Sequence, residues 1–566
     1  MTMLLIGYFR NFVWENRKEM AMRRFVKGFI LFALFFIFIS PVYVFADEIA
    51  DLGLPSMHFP SMHIETQYNP FTVERTFWHD GTITFVGYNS APARIRGRGN
   101  STWFDGPDKR PLRFRLGEAG SMPNSDAIAT DWILLSNHFD RSLLRNHAAL
   151  HLAGSLDGLS FTPTVQHIHL YVNGEYMGVY LLTDERDTAL GRLEIEWHED
   201  PALSEFFIEL DARAYMDAVL NEDFVEVNGL LYDVRFPGSS GRTPEHMAYV
   251  REYLESVSRA VRGRDFDEAM RLIDLDSFVD FYLVQELLKN KDVHSLSVFM
   301  HIKGQGAERR LFMGPTWDFD TAAGNFYNQR LGSGPEYLYV AVFNYWYRYL
   351  MSIPEFHEAV ADRWREIRDR EVAGMIAHVN DTARRYSADF ERNFDRHPIL
   401  NEKSFLEEAA DLVNWLETRA NWMDAYFDGR LYDYDPLWAL VEFYRENPLN
   451  IRVNGVVPQF IVPPFVLQDR TMISVMEFGD LFEDVNVYYR PEHGEIVLTR
   501  GDRVASHWVG APFMMVNGEM VEFGTPSSVT SSMKSNEHVF IPLSLFAQAL
   551  GFEISWEADD RMVDIR

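Results

Sequence analysis

Alternation of apolar and polar residues dominates the first part of the chain. The segments Thr82–Val86 and Leu112–Leu116 alternate strictly, which predicts half-buried strands. Two further strand-like segments, Thr164–Leu170 and Gly178–Leu182, flank Asn173-Gly174, a dipeptide typical of a tight hairpin turn. The first part of the chain is therefore predicted to be rich in β structure.

Helical spacing of apolar residues replaces this alternation further along the chain. Asp276 or Ser277 can cap a helix that runs to about Leu288. From Tyr337 to about Tyr426 the pattern is mostly helical, with Trp and Phe at helical intervals, which favours core packing of these aromatic residues. Strands followed by helices predict the α+β class.

The end of the chain contains an internal repeat after a predicted boundary. Gly429–Pro448 replaces the helical pattern with Asp, Tyr and Pro. Beyond it, Val453-Asn454-Gly455 recurs as Val516-Asn517-Gly518, and Arg470–Ile473 in the first copy corresponds to Val539–Leu543 in the second. The repeat predicts a small, separate α+β module.

Composition indicates a large globular protein with an acidic surface. The chain has 566 residues, of which 47% are hydrophobic and 14% aromatic, so it can form more than one domain. The formal net charge of -30 argues against nucleic acid as a partner. The chain contains no cysteine, so a secreted form depends on its core rather than on disulfides, which is consistent with a bacterial exported protein.

The N-terminus has the features of a secretory signal. Arg23–Lys27 precedes the apolar run Gly28–Ser40, and Val44-Phe45-Ala46 supplies small residues at the cleavage positions. This predicts a signal peptide over 1–46 that is cleaved after Ala46. Because the apolar run is short for a bilayer span, a retained membrane anchor is the alternative.

Three aspartates surround a predicted hairpin in the middle of the chain. The hairpin Ser297–Met313 has its turn near Gln305, and Asp292 and Asp318 lie at equal distances from that residue. Antiparallel pairing brings both to the same end, with Asp320 just beyond. Clustered carboxylates require a cation, and aspartate oxygens bind Mg²⁺ or Mn²⁺ beside nucleotide phosphates. The pattern predicts a phosphoryl-transfer site, and the alternative is that these aspartates cap helices or lie in solvated turns.

A segment rich in glycine and arginine follows a predicted strand. In Arg96–Trp103, glycines allow backbone N–H groups to approach an anion, and each arginine guanidinium can bind two phosphate oxygens at once. The segment matches neither the Walker A nor the dinucleotide-binding pattern, and a turn with solvated arginines explains it equally well. Further along, Lys109, Arg110, Arg113 and Arg115 supply cations that either reach phosphates or face water.

Trp132–Asn146 is predicted to be a buried strand that leads into a helix. Asp140 is expected to cap that helix, with Arg145 and Asn146 bracing it. His138 lies in the loop without an identifiable acid partner. The sequence contains no Ser-His-Asp, zinc-ligand or Cys-His arrangement that predicts a different chemistry.

Seven motifs, in order from about Leu54 to Leu431, resemble those of the CotH kinase family, named for spore coat protein H. The motifs are Arg96–Trp103, Lys109–Pro111, Trp132–Asn146, Asn173–Thr183, Phe207–Asp211, Glu286–Asp292 and Trp317–Asp320. The resemblance implies an atypical protein-kinase-like fold, β-rich at its N-terminal part and helical at its C-terminal part. It also implies a secreted or surface-located enzyme that uses ATP with Mg²⁺ or Mn²⁺ to phosphorylate exposed serines of a protein substrate.

The resemblance assigns roles to individual residues. Asp292 matches the catalytic-loop aspartate that orients or deprotonates the serine hydroxyl, and Asp318, together with Asp320, matches the metal-binding acid. The residues expected to bind the nucleotide are Arg96, Arg98, Asn100, Ser101, Lys109, Arg110 and Asp184.

Two positions depart from the family pattern. Ser297 stands where a kinase has a metal-binding asparagine, and Asp184 stands where the family usually has a glutamate. The neighbouring Glu185 is an alternative source of that carboxylate. The catalytic pair is retained, but both departures leave the turnover open.

The C-terminal repeat resembles the copper amine oxidase N-terminal-like domain, a stalk-type module of secreted bacterial proteins. It lacks a metal-ligand cluster, so no copper chemistry is expected. The predicted domains are a signal peptide over 1–46, a CotH kinase-like domain over 47–435 and this module over 448–566. The module is a candidate for attachment to the cell surface or wall.

Three function classes remain open. The first is a secreted protein-serine kinase that acts on extracellular or coat-type proteins. The second is a catalytically silent structural protein of a coat, cell wall or extracellular complex. The three aspartates favour the kinase, whereas Ser297 and the scarcity of ATP outside cells favour the silent protein. A polysaccharide-associated enzyme is the third class, but its only support is the aromatic content, which a helical core also explains.

Overall fold

The computed structural model describes most of the chain after the N-terminal segment. The ranges are 58–71, 75–85, 90–104, 109–123, 125–211, 224–294, 296–325, 334–336, 338–400, 403–428, 444–445, 447–467, 470–490, 494–508, 511, 513–522, 539–557 and 562–566. The predicted signal peptide and most of the predicted boundary after Gly429 lie outside the described residues. Within the ranges above, no helix combines the length and the hydropathy that a bilayer span requires.

Seven strands form a closed barrel in the order β1-β2-β3-β4-β5-β7-β6. They are β1 Ser61–Thr66, β2 His79–Phe85, β3 Ala91–Gly97, β4 Leu112–Gly120, β5 Ala129–Leu135, β6 Val165–Val172 and β7 Glu175–Asp184. The inward-facing side chains, among them Ile64, Phe114 and Trp132, form one apolar cluster. Asn173 and Gly174 both have positive φ, as a two-residue hairpin turn requires, which confirms the predicted β6–β7 hairpin.

A second sheet has five strands in the order β12-β11-β8-β10-β9. They are β8 Phe206–Leu210, β9 Phe224–Val227, β10 Leu230–Phe236, β11 Val298–Lys303 and β12 Arg310–Met313. The predicted hairpin is β11–β12. Its register pairs Met300 with Met313, which centres the turn slightly beyond Gln305.

Helices lie on both sides of the β11–β12 hairpin in the chain order. Beyond the barrel region they are Pro244–Arg262, Phe266–Leu272, Leu275–Leu287, Val340–Phe343, Tyr347–Leu350, Pro354–Ile367, Ala373–Arg385, Ser387–Arg396 and Phe405–Phe427. The third begins after Asp274, whose carboxylate accepts the Ser277 N–H at 2.9 Å, and therefore begins earlier than a cap at Asp276 or Ser277 predicts. Tyr347 and Trp364 are buried, as expected of core aromatics. The described chain is mixed α+β with a β-rich N-terminal part, which confirms the predicted class.

The C-terminal residues form three small sheets, with orders β13-β23-β22, β14-β15-β21 and β16-β17-β18-β19-β20. The strands are β13 Asn450–Val453, β14 Phe465–Leu467, β15 Arg470–Ser474, β16 Asn486–Arg490, β17 Glu495–Arg500, β18 Arg503–Trp508, β19 Phe513–Val516, β20 Glu519–Glu522, β21 Phe540–Pro542, β22 Ile554–Glu557 and β23 Met562–Ile565.

The internal repeat is visible as two strand–helix units. β15 continues into the helix Val475–Asp480, and β21 continues into the helix Leu543–Ala549. The two strands pair antiparallel, with Ile473 opposite Ile541. The two Val-Asn-Gly turns share a positive φ at Asn and Gly, but only the second joins two adjacent strands of one hairpin.

Candidate functional site

A cavity of about 1230 Å³ gathers residues from the barrel, the second sheet, the hairpin loops and the C-terminal module. Seven of the predicted site residues line it: Arg96, Arg98, Asn100, Ser101, Asp292, Asp318 and Asp320. Among the described residues that line the cavity, Lys and Arg outnumber Asp and Glu by seven to five, although the whole chain has 53 basic and 83 acidic residues. The cavity is therefore a cationic region of an acidic protein.

The hairpin brings the two predicted catalytic acids into this cavity. Asp292 lies in the short 3₁₀ helix Lys291–His294 before β11, and Asp318 lies in the loop after β12. Between them, Ser297 Oγ donates a hydrogen bond to Asp318 Oδ2 at 3.1 Å. Ser297, directly before β11, thus holds the orientation of the Asp318 carboxylate at the same end of the hairpin.

The loop that carries Asp318 and Asp320 is held by the start of the helix Arg145–Gly154. Asn146 Oδ1 accepts the Phe319 N–H at 2.9 Å, and Arg145 Nε donates to the Ala322 carbonyl at 2.9 Å. The buried Asp140 carboxylate accepts the Arg145 N–H at 2.8 Å and pairs with its guanidinium at 2.5 Å. The predicted bracing of Asp140 by Arg145 is confirmed, whereas Asn146 braces the acidic loop instead.

Asp320 is buried beside two other carboxylates. Burial and the nearby carboxylates of Asp318 and Asp292 raise its pKa well above the usual range, and Arg98 opposes this shift only in part. Excess negative charge in a buried site favours a proton or a bound cation. No three His, Cys, Asp or Glu side chains of the described part are placed to hold a metal ion by themselves. A Mg²⁺ or Mn²⁺ ion would therefore need phosphate oxygens or water to complete its ligands, as is usual for Mg²⁺ beside a nucleotide.

Two arginines of the basic segment lie on aromatic rings. The Arg98 guanidinium is 5.7 Å from the centroid of the Trp317 ring, and the Arg96 guanidinium is 4.9 Å from that of Trp78. Burial and the nearby Arg186 lower the pKa of Arg98 to about 10, so it remains charged at neutral pH. Within the described chain, Arg96 Nε has no hydrogen-bond partner. Guanidinium groups oriented by aromatic faces leave N–H donors available for phosphate oxygens.

The glycines beside these arginines are required by packing. A Cβ atom at Gly97 would lie 2.3 Å from the Trp103 ring, and one at Gly99 would lie 2.3 Å from Thr102 Oγ1. Asn100 Oδ1 accepts a hydrogen bond from Arg75 Nη1 at 2.5 Å. Because the fold itself demands glycine here, anion binding by this loop depends on its arginines rather than on its glycine content.

Three predicted nucleotide-binding residues do not line the cavity. Asp184 is fully buried, and its carboxylate accepts hydrogen bonds from Ser125 Oγ at 2.9 Å, Thr164 Oγ1 at 2.6 Å and Arg192 Nε at 3.1 Å. These contacts use both oxygens, so Asp184 stabilises the barrel.

Lys109 and Arg110 also pack into the barrel region. Lys109 Nζ is buried 5.2 Å from the centroid of the Tyr180 ring, and burial, opposed by Asp140, lowers its pKa to about 7. The Arg110 guanidinium lies 4.9 Å from the centroid of the Trp103 ring, and its Nη1 donates to the Phe71 carbonyl at 2.5 Å. Neither side chain therefore lines the cavity.

Sequence analysis missed a second arginine group at the edge of the cavity. Arg186 lies with its guanidinium 4.2 Å from the Trp317 ring centroid, and Arg235 pairs with the buried Glu209. Glu185, considered above only as a substitute for Asp184, accepts from Arg186 at 3.2 Å and faces Arg113 at 3.3 Å. Burial alone would raise the pKa of Glu185, but Arg186, Arg113 and Arg98 lower it to about 2. The sequence did contain a signal for this group, because Arg186 directly follows Glu185.

Two family models match the chain. The model described as CotH kinase protein matches residues 94–423, more than half of the chain and all ten predicted site residues. The model described as copper amine oxidase N-terminal domain matches residues 452–565, within the predicted C-terminal module. No curated protein matches the chain.

Proposed function

The chain belongs to the CotH kinase family, and we propose that it is a secreted protein kinase that transfers the γ-phosphate of ATP to serine side chains of extracellular or coat-type proteins. The barrel and the helical part would then form an atypical protein-kinase-like fold. The observation that carries the proposal is the meeting of Asp292, Asp318 and Asp320 with Arg96 and Arg98 in one cavity.

In this proposal Asp292 acts on the acceptor. Its carboxylate accepts the proton of the serine hydroxyl while the serine oxygen forms a bond to the γ-phosphorus. The bond between the γ-phosphorus and the oxygen that bridges to the β-phosphate breaks, and ADP leaves. Asp292 suits this role because it lies in the cavity at the start of the hairpin, separated in sequence from the metal-binding loop.

The other residues bind and orient the nucleotide. Arg96 and Arg98 donate to phosphate oxygens, and Asn100 and Ser101 contribute polar groups on the same side. Asp318 and Asp320 would hold a Mg²⁺ or Mn²⁺ ion, which when bound neutralises charge on the transferring phosphoryl group. The raised pKa of Asp320 supports this assignment, because a bound cation would offset both the burial of its charge and the repulsion from Asp318 and Asp292 that raise it.

A silent structural protein of a coat or cell wall is the second candidate. Ser297 favours it, because the hydroxyl that replaces a metal-binding asparagine is occupied by Asp318. A site for one metal ion with slow turnover and a site without turnover both fit this observation. The predicted secretion and the C-terminal module suit either function at a cell surface or wall.

Transfer of labelled γ-phosphate tests the proposal. The purified chain without residues 1–46 is incubated with Mg²⁺ or Mn²⁺ and a serine-rich protein, and nucleotide binding is measured in parallel. We expect Asp318→Ala to lose both metal-dependent nucleotide binding and transfer. Asp292→Ala should retain nucleotide binding and lose transfer.

The matched control is Asp362→Ala, which removes an exposed aspartate that pairs with Arg365 on the helical surface. This variant should transfer phosphate as the wild type does. If folded wild-type protein neither binds nucleotide nor transfers phosphate, the kinase proposal is overturned in favour of the structural role.

A further inference from the structure

The C-terminal module forms part of the wall of the catalytic cavity. Residues of β16, β17 and the helix Val475–Asp480 line the same cavity as Asp292 and Asp318. They are Met476, Val487, Tyr488, Tyr489, Arg490, Val497 and Thr499. A stalk that only spaced the enzyme from a surface would not need to shape this cavity.

Specific contacts fix the module against the rest of the protein. Arg348, which is buried, forms an ion pair with Asp480. At the β9–β10 turn, Gly229 has φ of 75°, and a Cβ atom there would lie 2.5 Å from Asn486 Oδ1. Apolar side chains of the module, including Phe478 and Phe482, belong to the same core cluster as the helical part. The wall is thus built on packed contacts.

The module is anchored on the segment that positions Asp292. The helix Tyr347–Leu350, which carries Arg348, follows Asn344, and Asn344 Nδ2 donates to the Val293 carbonyl at 2.8 Å. Val293 is the neighbour of Asp292. The nucleotide-binding arginines, in contrast, lie on the barrel side of the cavity. In the proposed reaction the Asp292 side receives the serine hydroxyl.

The cavity is larger than a usual pocket for one small molecule. Pockets for a single small molecule usually measure about 300–1,000 Å³, and this cavity measures about 1230 Å³. The space beyond one nucleotide therefore suits a short peptide segment, bordered by the module.

We propose that the C-terminal module binds the acceptor protein and that Arg490 selects a serine whose neighbours carry acidic side chains. This inference rests on the proposed function. Among the described side chains of the module that line the cavity, only Arg490 is charged. Its side chain is 53% exposed. Glu495 lies 3.0 Å from one nitrogen of Arg490, and the exposed remainder of the guanidinium can donate to an acidic peptide side chain. Lys291 lines the cavity next to Asp292 and favours the same peptide charge.

Peptide binding and phosphate transfer, measured separately, test this inference. The chain without residues 1–46 is titrated into two fluorescent serine peptides, one flanked by glutamate and one by lysine, with Mg²⁺ and a non-hydrolysable ATP analogue present. We expect the glutamate peptide to bind more tightly. Arg490→Ala should weaken that binding about fivefold, the size expected of one half-exposed charge pair, and Arg490→Glu should shift the preference towards the lysine peptide.

Arg503→Ala is the matched control, because Arg503 is an exposed arginine of the same sheet that does not line the cavity. It should bind both peptides as the wild type does. Equal binding of the two peptides by wild type, no effect of either Arg490 variant, or an equal effect of Arg503→Ala would overturn the inference. Arg490-dependent peptide binding without any phosphate transfer would support peptide binding by the C-terminal module and would overturn the kinase proposal.

Discussion

Ser297 and Asp318 share a hydrogen bond and an uncommon backbone conformation. The Ser297 hydroxyl donates to Asp318, and the two residues have φ of 54° and 66°. The left-handed region is favourable for asparagine and costs serine more. Asparagine at position 297 would therefore suit the backbone and also provide an amide oxygen of the kind that binds a second metal ion in kinases.

We predict that Ser297→Asn increases phosphate transfer at limiting Mn²⁺. The expected gain is about threefold to tenfold, which corresponds to about 1 kcal/mol of transition-state stabilisation. The folding free energy should stay within about 0.5 kcal/mol of the wild-type value. Initial rates measured across a Mn²⁺ titration, with Ser297→Ala as the control that only loses the hydrogen bond, check this. A rate for Ser297→Asn no higher than that for Ser297→Ala would contradict it.

Single residues also mark where sequence reasoning reaches its limit. Asp292, Asp318 and Asp320 could be assigned to one site because a local hairpin connects them. Asp184 and Glu185 could not be separated, because either carboxylate fits the family pattern. The side chain of Asp184 turns to Thr164 and Arg192, and that of Glu185 turns to the arginines. This choice depends on how β7 ends in the barrel, which no local pattern encodes.

The helix Arg145–Gly154 and the loop after β12 act together at the scale of elements. Asn146 Oδ1 is the acceptor for the Phe319 N–H, and Phe319 separates the two acids of the loop. The sequence predicted a strand followed by a helix here, but not that the start of the helix holds a loop more than 170 residues away. Hydrogen bonds of such sequence separation leave no periodic trace, whereas strands and hairpins follow from alternation and turn residues.

We predict that Asn146→Ala loosens the acidic loop. The variant leaves the buried Phe319 N–H without its acceptor, at a cost of about 1–3 kcal/mol. Hydrogen exchange of the Phe319 amide should become faster, and metal-dependent nucleotide binding should weaken about tenfold. Asn414→Ala, on the exposed face of the helix Phe405–Phe427, is the control and should change neither. Unchanged exchange at Phe319 in the Asn146 variant would show that the loop is held by other contacts.

At the scale of the whole molecule, buried histidines make the stability depend on pH. His147 stacks on His167 and His378, and its Nε2 lies 2.8 Å from His378 Nε2. Burial, followed by the neighbouring histidines, lowers the pKa of His147 well below its usual value, and burial lowers that of His167 to about 4. These side chains are neutral when folded and take up protons on unfolding below pH about 6.5. Their contribution is complete above that pH and is lost as the pH falls towards 4.

We predict a falling free energy of unfolding between pH 6.5 and 4.5. Each histidine that stays neutral in the fold adds a slope of about 1.4 kcal/mol per pH unit in this window. Urea titrations at several pH values measure the slope. His147→Gln should reduce the slope by about 1.4 kcal/mol per pH unit, which corresponds to one proton. Substitution of the exposed His58 should leave the slope unchanged. An identical slope in the His147 variant would mean that the cluster does not control acid sensitivity.

The joint between the C-terminal module and the helical part determines whether the molecule behaves as one body. The sequence indicates two domains and a repeat. It does not indicate the contact between them, because Arg348 and Asp480 belong to no common motif. Removing Arg348 alone leaves Asp480 without this partner and takes one of two nearby positive charges from the buried Glu477, whose pKa burial raises. We therefore predict a coupling energy of about 1–3 kcal/mol in a double-mutant cycle of Arg348→Met and Asp480→Ala, measured by urea unfolding.

The exposed Arg365–Asp362 pair is the control and should give a coupling energy of about 0.3–0.5 kcal/mol in its own double-mutant cycle. Equal coupling for the two pairs would mean that the module is not fixed at this joint, and Arg490 would then have no defined position in the cavity wall.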